Sequence, residues 1–464
     1  MLNAAISYTR DHRQQFVDNL ISLVKIPSIS ANLEYLEDVK AAADWNLERL
    51  RELGFEDIEV FPVGDHQIVF GRFQGLVDTP TILVYGHYDV TAVDSIDEWD
   101  SDPFDPQIRG NYIYARGTSD MKAQLIAFYS AIEALTKAGM EPPNIKFLLD
   151  GAEEIGSPGL DDFIKDNQER LACDFCLDID SGIFSTNQPS ITYALRGLAY
   201  FELFVQGPDT DLHSGSFGGP IDNPAIVLCE LIAGMRDETG RITLPGFYDS
   251  VLPISVDERQ ELATLPTTND WWKEQTGVRE LRSENGFSAT ELATARPTLN
   301  VNGIMSGHVQ NNQNTVIPAD AKAKISMRLV PQQTPEEVCR SLETYLSEKA
   351  PETVTWMLKQ LTGCRPAFMN RDTSEMDAAS QALKGVWGTD PIFIREGGSV
   401  PIHGLVQEHL GVQSMSLGFM LPDDNIHASN ERQYLPNFYK GIETYIRFLH
   451  LVGRNKHRHE ILHV

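Results

Sequence analysis

The sequence has few cysteines, and they are not expected to form a disulfide framework. Five cysteines in 464 residues are too few to hold a fold of this size together by disulfides. Cys173 and Cys176 form a CxxC pair, but no second pair accompanies it, and the run ACDFCLDID around it is typical of a buried strand. We therefore expect the pair to pack in a core rather than to bind zinc or act in redox chemistry.

Basic residues are also scarce. There are 38 Lys and Arg against 66 Asp and Glu, a formal net charge of -28. A charge of this sign repels nucleic acid phosphates and anionic membrane surfaces, so we expect neither as a partner. Most of the charge is explained by solubility, and a smaller part favours the approach of metal cations or amine substrates.

Long apolar runs are absent, and no stretch could span a bilayer. Residues 1–30 do not resemble a signal peptide. Asp11, Arg13 and Asp18 stand where its apolar core would lie, and the apolar residues have helical spacing. The sequence therefore predicts a cytoplasmic protein.

Strand and helix patterns alternate in the first part of the chain. Helices are predicted at 4–25, 39–53, 121–138 and 160–167, and strands at 58–63, 68–73, 81–85, 145–149 and 175–179. This order is typical of an α/β domain with a mostly parallel sheet. The last part of the chain resumes the pattern, with strands near 392–394 and 412–417 and helices near 402–409 and 436–451.

The middle of the chain has a different order. A strand at 192–205 is followed by a helix at 224–235, strands at 298–301 and 321–329, a helix at 335–349 and a strand at 353–359. This is the split βαβ order of a ferredoxin-like α+β sandwich. We therefore predict an α/β domain made of residues 1–190 and 399–464, interrupted by an inserted domain at 191–398.

Acidic and histidine side chains recur where predicted strands end. In an open α/β sheet, sites form outside the carboxyl ends of the strands. The candidates are His87 and Asp89 in TILVYGHYDV, Asp120 in ARGTSDMKAQ, Glu153 and Glu154 in LLDGAEEIGSPG, Asp180 at the end of FCLDID, and His427 in DDNIHASNER.

Each of these residues alone has an ordinary structural explanation. Asp120 fits a helix N-cap, and one HxD pair is weak evidence for a metal site. Two adjacent carboxylates at a strand end are harder to explain, because they repel each other unless a cation is near. Together the candidates offer two histidines, three carboxylates that could bind metal and one carboxylate left over. This inventory fits a dinuclear hydrolytic site, with ions ~3.5–4 Å apart.

These motifs also resemble a known family. The runs YGHYDV, GTSDMK, GAEEIGS, DLHSG, REGGSVP and NIHASNE are similar in kind and order to those of the M20 metallopeptidases, and within them to the carnosinase-like dipeptidases. The resemblance extends over nearly the whole chain, including the inserted domain. It implies an α/β catalytic domain with an inserted ferredoxin-like lid that also serves dimerisation.

The resemblance implies a role for each candidate. His87 and Asp180 would bind one ion, Glu154 and His427 the other, and Asp120 would bridge them and precede a cis peptide bond. Glu153 would be the general base, and Asp89 the carboxylate that orients His87. The remaining roles fall on the inserted domain and its second boundary: an oxyanion donor at His213, and substrate-carboxylate contacts at Arg328 and, more weakly, at Asn314, Thr315, Gly398 and Ser399. From the residues alone, His213 could be a turn histidine and Arg328 could form a surface ion pair.

The resemblance predicts two divalent metal ions per subunit, with zinc favoured and manganese or cobalt accepting the same ligands. It also predicts a homodimer through the lid. The predicted reaction is hydrolysis of the amide bond of dipeptides or short peptides. An alternative on the same fold is the deacylation of N-acyl, N-carbamoyl or N-succinyl amino acids. A non-catalytic binding protein is disfavoured, because all five ligands and Glu153 are present.

Overall fold

The computed structural model describes residues 1–93, 95–282, 284, 286–308 and 314–454. The chain divides into two compact units. Unit 1 comprises Met1–Tyr193, Met369–Ile394 and Leu405–Val464, and unit 2 comprises Ala194–Phe368 and Arg395–Gly404.

The strands are, in chain order, β1 (Glu56–Val63), β2 (His66–Phe73), β3 (Thr81–His87), β4 (Gln107–Arg109), β5 (Tyr112–Tyr114), β6 (Asn144–Asp150), β7 (Phe175–Asp178), β8 (Ser190–Leu195), β9 (Gly197–Gln206), β10 (Leu212–His213), β11 (Thr298–Ser306), β12 (Val316–Ile317), β13 (Asp320–Leu329), β14 (Thr355–Cys364), β15 (Ala367–Phe368), β16 (Ile392–Glu396), β17 (Gln413–Ser416) and β18 (Arg432–Tyr434).

The helices are α1 (Leu2–Asp11), α2 (Arg13–Val24), α3 (Leu36–Glu52), α4 (Ala123–Lys137), α5 (Leu160–Asp166), α6 (Gln168–Leu171), α7 (Ser214–Phe217), α8 (Pro224–Gly234), α9 (Val256–Ala263), α10 (Asn269–Thr276), α11 (Ala289–Thr294), α12 (Pro335–Lys349), α13 (Ser374–Trp387), α14 (Pro401–His409) and α15 (Leu435–Val452). Within the described part of the chain, no helix combines the length and apolarity of a membrane span.

Unit 1 is built on a six-stranded sheet of order β1-β2-β6-β3-β7-β17. The strands β6, β3, β7 and β17 are parallel to one another, while β2 pairs antiparallel with both β6 and the edge strand β1. The predicted α/β class with a mostly parallel sheet is therefore confirmed. The parallel strands are apolar and buried on both faces, as sheets covered by helices are.

Helix α4 is apolar all round, and its residues from Ala123 to Leu135 are buried. Such a helix is stable only inside a core. It packs against α1, α2 and α15. A short turned segment, Thr118–Lys122, precedes it and holds Asp120 at the buried end of the helix. The helix predicted to begin at residue 121 therefore begins two residues later.

Unit 2 is built on a four-stranded antiparallel sheet of order β11-β13-β9-β14, with α8 and α12 packed on one face. In chain order the elements are β9, α8, β11, β13, α12 and β14, which is the ferredoxin-like arrangement predicted from the sequence. Its core is formed by alternate residues of the strands and the facing sides of the two helices.

The strand predicted at 192–205 is divided into β8 and β9 at Arg196. Gly197 begins β9, where the chain passes very close to β14. A Cβ added at Gly197 would lie 2.6 Å from the carbonyl oxygen of Cys364, so a glycine is required. The alternating apolar pattern continues across the break, and the pattern therefore gives no sign of it.

The predicted boundaries differ from this division in three segments. Residues 191–193 and Met369–Ile394 were predicted to lie in the inserted domain but belong to unit 1, whereas residues 399–404 were predicted to lie in the α/β domain but belong to unit 2. The cause of the largest difference is α13, which the sequence reading missed and which packs against α15. The Lys440 ammonium lies 5.0 Å from the centre of the Trp387 ring, and a Cβ at Gly385 would touch Arg447. The roles given to the two domains remain predictions.

Candidate metal centre

The carboxyl ends of three adjacent parallel strands carry most of the predicted site. His87 is the last residue of β3 and lies beside Asp150 at the end of β6. Glu153 and Glu154 follow β6 in a short 3₁₀ turn, and Asp180 follows β7 by two residues. Because β3 lies between β6 and β7, these side chains meet at one edge of the sheet.

Asp120 lies between the two histidines. Its Oδ1 is 3.1 Å from Nε2 of His87, and its Oδ2 is 2.9 Å from Nε2 of His427. The Asp120–Met121 peptide is cis, as predicted. One carboxylate thus presents one oxygen to each imidazole, which is the arrangement expected of a bridging ligand.

The remaining acids lie around this pair. Asp180 Oδ2 is 3.4 Å from His87 Nε2, and Glu154 Oε2 is 3.0 Å from His427 Nε2. His427 lies in the loop between β17 and β18, has a φ of 61° and is half exposed, whereas His87 is fully buried. Each histidine is therefore accompanied by one further carboxylate in addition to Asp120.

Two overlapping sets of side chains bring one ligand atom each to within 4.8 Å of one another. They are His87, Glu153 and Asp180, and His87, Asp120 and Glu154. Imidazole nitrogen and carboxylate oxygen are suitable ligands for zinc, manganese or cobalt. The donor set therefore fits two divalent ions. Glu153, predicted as the base, lies near enough to share the first set.

Three acids of this cluster hold their protons more tightly than usual. Asp120 is the exception, because burial alone would raise its pKa, but hydrogen bonds from His427 and His87 lower it below its ordinary value. Burial and the charge of Asp120 raise the pKa of both Glu154 and Asp180 to about 7. Burial, and next the charges of Asp180 and Glu154, raise the pKa of Glu153 well above its ordinary value. Carboxylates this close cannot all be ionised without a neutralising cation.

The pKa values of both histidines are also raised, so they favour their positively charged forms. Hydrogen bonds to Asp120 and Glu154 raise the pKa of His427 to about 10. Burial alone would lower the pKa of His87, but the charge of Asp180 and hydrogen bonds to Asp120 and Asp180 raise it well above its usual value. Protons on the histidines partly neutralise the carboxylates, a task that metal ions can take over.

Asp89 contacts His87 and the turn that carries Glu153 and Glu154. The Nδ1 of His87 is 3.1 Å from the Asp89 carbonyl oxygen and 3.3 Å from its carboxylate Oδ1. The carboxylate also accepts hydrogen bonds from the backbone nitrogens of Glu153, at 3.2 Å, and Glu154, at 3.1 Å. Asp89 therefore lies behind His87, and it also fixes the turn that carries both glutamates.

The residues predicted to contact substrate lie in unit 2 or at its ends. His213 is the last residue of the short strand β10 and pairs with Val316 of β12. Its Nδ1 is 3.4 Å from Ser216 Oγ. Ser214 donates its backbone and hydroxyl hydrogens to the Thr315 carbonyl oxygen. Asn314 precedes this contact, and His213, Asn314 and Thr315 are all at least partly exposed. The unit thus brings His213 close to the predicted pair 314–315.

Arg328 and Ser399 are also brought together. Arg328 donates to Ser399 Oγ at 2.7 Å, and Ser399 Oγ donates to the Arg196 carbonyl oxygen at 2.5 Å. Among the described residues no acidic side chain pairs with Arg328, so the surface ion pair considered for it is not present. A Cβ at Gly398 would meet no atom within 4 Å, so this glycine borders open space.

The sequence reading missed Arg196. Its guanidinium donates to the Gly397 carbonyl oxygen at 3.1 Å, and a Cβ at Gly397 would lie 2.8 Å from Arg196 Nη2. Burial, and next the charge of Arg328, lower the pKa of Arg196 to about 10. Two neighbouring guanidiniums make this part of unit 2 attractive to a carboxylate. The glycine pair in REGGSVP was the available signal, because it indicates close approach of another group.

Cys176 lies in β7 and is fully buried, and Cys173 lies two residues before that strand. All five are free thiols. Burial raises the pKa of the Cys173 thiol to about 12 and that of Cys176 well above its ordinary value. Such thiols are poor nucleophiles and poor metal ligands, which agrees with a packing role.

Comparison with known proteins gives consistent results. The family model "Peptidase family M20/M25/M40" matches residues 83–451. The chain is 31% identical to the Cys-Gly metallodipeptidase of Schizosaccharomyces pombe, over 94% of this chain and 95% of that one. It is 29% identical to the human Beta-Ala-His dipeptidase, over 97% of this chain and 92% of the relative.

Solved structures are similar over the same length. The di-peptidase Dug1p of Saccharomyces cerevisiae matches with a TM-score of 0.83 and 27% identity, covering 98% of this chain and 99% of that one. The M20 family metallo-carboxypeptidase Sso-CP2 of Sulfolobus solfataricus matches with a TM-score of 0.85 and 31% identity, covering 94% and 99%.

Proposed function

The chain belongs to peptidase family M20/M25/M40, and from that membership we propose that it hydrolyses the amide bond of dipeptides at a pair of divalent metal ions. The observation that carries the proposal is the position of Asp120, whose two carboxylate oxygens face Nε2 of His87 and Nε2 of His427. A carboxylate used in this way suits a site that holds two neighbouring cations.

His87 and Asp180 would hold one ion, Glu154 and His427 the other, and Asp120 would lie between them. When bound, the ions lower the pKa of water and polarise the carbonyl of the substrate. Zinc is the proposed metal because it suits mixed imidazole and carboxylate ligands, and manganese and cobalt accept the same set.

Glu153 is the proposed general base. It takes a proton from the attacking water and delivers it to the nitrogen of the leaving amine. Two features support this role. Asp89 holds the backbone of Glu153, and the raised pKa of the Glu153 carboxyl makes it a stronger proton acceptor than an ordinary glutamate.

The proposed roles in unit 2 concern the ends of the substrate. His213 donates a hydrogen bond to the oxygen that becomes negative during the reaction. Arg328 binds the substrate carboxylate with its planar fork, and Ser399 orients that fork. Asn314, Thr315 and Gly398 are the further proposed contacts of the substrate carboxylate.

A substrate panel tests this function. Relatives carry the names Cys-Gly metallodipeptidase and Beta-Ala-His dipeptidase, so the panel contains Cys-Gly and β-Ala-His. It also contains other dipeptides, tripeptides and N-acyl, N-carbamoyl and N-succinyl amino acids. We expect the fastest hydrolysis with dipeptides that have free termini, in protein loaded with Zn²⁺. Turnover of the N-acyl, N-carbamoyl or N-succinyl compounds alone would replace the peptidase assignment with the deacylase alternative.

A homodimer through unit 2 is part of the proposal. Strand β11 is at the edge of the sheet, and its Ile304 and Met305 are 54% and 62% exposed. The outer edge of such a strand has unpaired backbone groups and exposed apolar side chains, and proteins commonly cover an edge of this kind with another chain or element. Sedimentation of the wild type and of Ile304→Lys tests this, and dimers are expected only in the wild type. The cytoplasm remains the proposed location, which cell fractionation can test.

A further inference from the structure

Two buried acids stand at the ends of the loop that carries His427. They are Asp424 and Glu431, and both are inaccessible to solvent. Each reaches back to the segment Arg116–Asp120, which lies more than three hundred residues earlier in the chain. The loop with one metal-binding candidate is therefore tied at both ends to the segment that carries Asp120.

Glu431 makes the larger part of this connection. Its Oε2 accepts hydrogen bonds from Arg116 Nη1 at 2.7 Å and from the backbone nitrogen of Gly117 at 2.9 Å. Its Oε1 accepts from the backbone nitrogens of Ser119 at 2.9 Å and Asp120 at 3.1 Å. One carboxylate thus binds four donors of the segment, and one of them belongs to Asp120 itself.

Asp424 provides the second connection. Its Oδ2 accepts a hydrogen bond from Ser119 Oγ at 2.7 Å and another from the backbone nitrogen of Leu421 at 2.8 Å. Gln124, in the first turn of α4, also donates to the Ser119 carbonyl oxygen at 2.5 Å. The segment before Asp120 is therefore fixed by side chains from both sides.

We infer that Glu431 is a positioning residue that sets the distance between Asp120 and His427, and thereby the affinity for the second metal ion. The inference rests on the proposed function. Its basis is the contact geometry. Glu431 lies four residues from His427 and accepts a hydrogen bond from the backbone nitrogen of Asp120. The side chains of Asp120 and His427 are themselves 2.9 Å apart. Loss of the carboxylate would leave His427 and Asp120 on segments that could shift separately.

The four-donor arrangement makes Glu431→Gln an informative change. A glutamine has nearly the same shape but carries one NH₂ group in place of an acceptor oxygen. Whichever way the amide is oriented, two N–H donors would face another donor instead of an oxygen. Partners of this kind, which orient metal ligands, typically contribute ~10–100-fold in metal affinity.

Glu133 provides a matched control. It is also a buried carboxylate of unit 1 that accepts several hydrogen bonds, from Tyr8 Oη at 2.8 Å, from Gln15 Nε2 at 3.2 Å and from Arg49. It lies on α4 thirteen residues after Asp120, which at the helical rise is roughly 20 Å away. Glu133→Gln should therefore destabilise the fold by a similar mechanism without affecting the metal centre.

The experiment titrates Zn²⁺ into full-length protein that has been freed of metal by a chelator, using calorimetry with a competing chelator to obtain both dissociation constants. We expect two ions per wild-type chain. In Glu431→Gln at least one of the two should bind ~10–100-fold more weakly. In Glu133→Gln both constants should stay within about twofold of wild type, although its melting temperature should fall.

If Glu431→Gln does not fold, the same titration is done with Glu431→Asp, which keeps the charge but cannot reach all four donors. Zn²⁺ binding at least about fivefold weaker than in the wild type then supports the inference. Two wild-type-like constants in the folded Gln or Asp variant would overturn it. Equal weakening in Glu133→Gln would also overturn it, since the effect would then follow stability alone. A wild-type protein that binds no Zn²⁺ would instead overturn the proposed function, and the inference with it.

Discussion

The carboxylate of Asp89 accepts a hydrogen bond of 3.2 Å from the backbone nitrogen of Glu153. Its other oxygen accepts from Glu154, and the same residue lies behind Nδ1 of His87. One buried side chain therefore orients the proposed base, one proposed ligand of the second ion and one of the first. Such a residue does not contact the substrate, yet the geometry of the site depends on it.

We expect Asp89→Ala to lower kcat/KM for a dipeptide by ~10–100-fold, because the imidazole and both glutamates lose a common support. Steady-state kinetics with saturating Zn²⁺ measure this. Asp65→Ala, an exposed acid of the same unit, is the control and should retain wild-type kinetics. Unchanged turnover in Asp89→Ala would show that the site does not need this support.

Glu153 and Glu154 are adjacent in sequence but have different proposed tasks. Glu153→Gln should lower kcat at least ~100-fold and leave two bound metal ions, since only proton transfer is lost. Glu154→Gln should lose metal as well as activity. Metal analysis of the two purified variants, together with kcat, separates the roles. Loss of metal from Glu153→Gln would indicate a ligand instead of a base.

Removal of metal should weaken the fold. Without cations, the carboxylates of the buried cluster repel one another. Metal ions that bind only the folded protein also raise its free energy of unfolding. Free Zn²⁺ at ~100 times its Kd should raise the free energy of unfolding by ~2.7 kcal/mol for each ion that binds. Urea unfolding with chelator and with Zn²⁺ measures the difference. Asp120→Asn should show little or no increase, and an equally large increase in that variant would argue against a bridging role.

Much of this centre could be predicted because parallel strands bring their carboxyl ends to one edge. His87 and Asp180 follow from that rule. His427 was a candidate from a distant polar loop, and the resemblance gave it the role of a metal ligand. Glu431 was given no role, because most of its partners are backbone nitrogens. Every residue type except proline offers a backbone nitrogen, so the sequence does not indicate which residues such a carboxylate binds. The helices between 256 and 294 were also missed, although Ser288 and Glu291 form a capping box whose spacing is legible in the sequence.

Arg328 should contribute to binding more than to the chemical step. Arg328→Met is expected to raise KM for a dipeptide by ~10–100-fold, corresponding to the ~1.5–3 kcal/mol of a charged hydrogen bond. The corresponding dipeptide amide, which lacks the carboxylate, should show no such change. Lys324→Met, on the same strand and exposed, is the matched control. Equal losses with the acid and the amide would assign Arg328 to another part of the substrate.

Asp424 gives a prediction about pH and stability. Burial, and next the nearby charges of Asp423 and Glu431, raise the pKa of Asp424 to about 7 in the folded protein. In an unfolded chain the group would lose its proton near pH ~3.9. Between these pH values the folded state binds more protons than the unfolded state. This group's contribution to the free energy of unfolding therefore decreases as the pH rises from about 4 to about 7, and is constant outside that range.

Asp424→Asn should remove this decrease. Both donors of Asp424 bind Oδ2, while Oδ1 is buried without a hydrogen-bond partner in the described residues, so an amide can replace the protonated acid. Relative to wild type, the metal-free variant should gain stability between pH 5 and pH 8, with a limiting slope of ~1.4 kcal/mol per pH unit. Urea unfolding at both pH values measures the gain. Asp65→Asn, at an exposed acid whose charge is not among those that raise this pKa, should not reproduce it. If Asp424→Asn and wild type change in parallel with pH, the Asp424 carboxyl is ionised in the folded protein throughout that range.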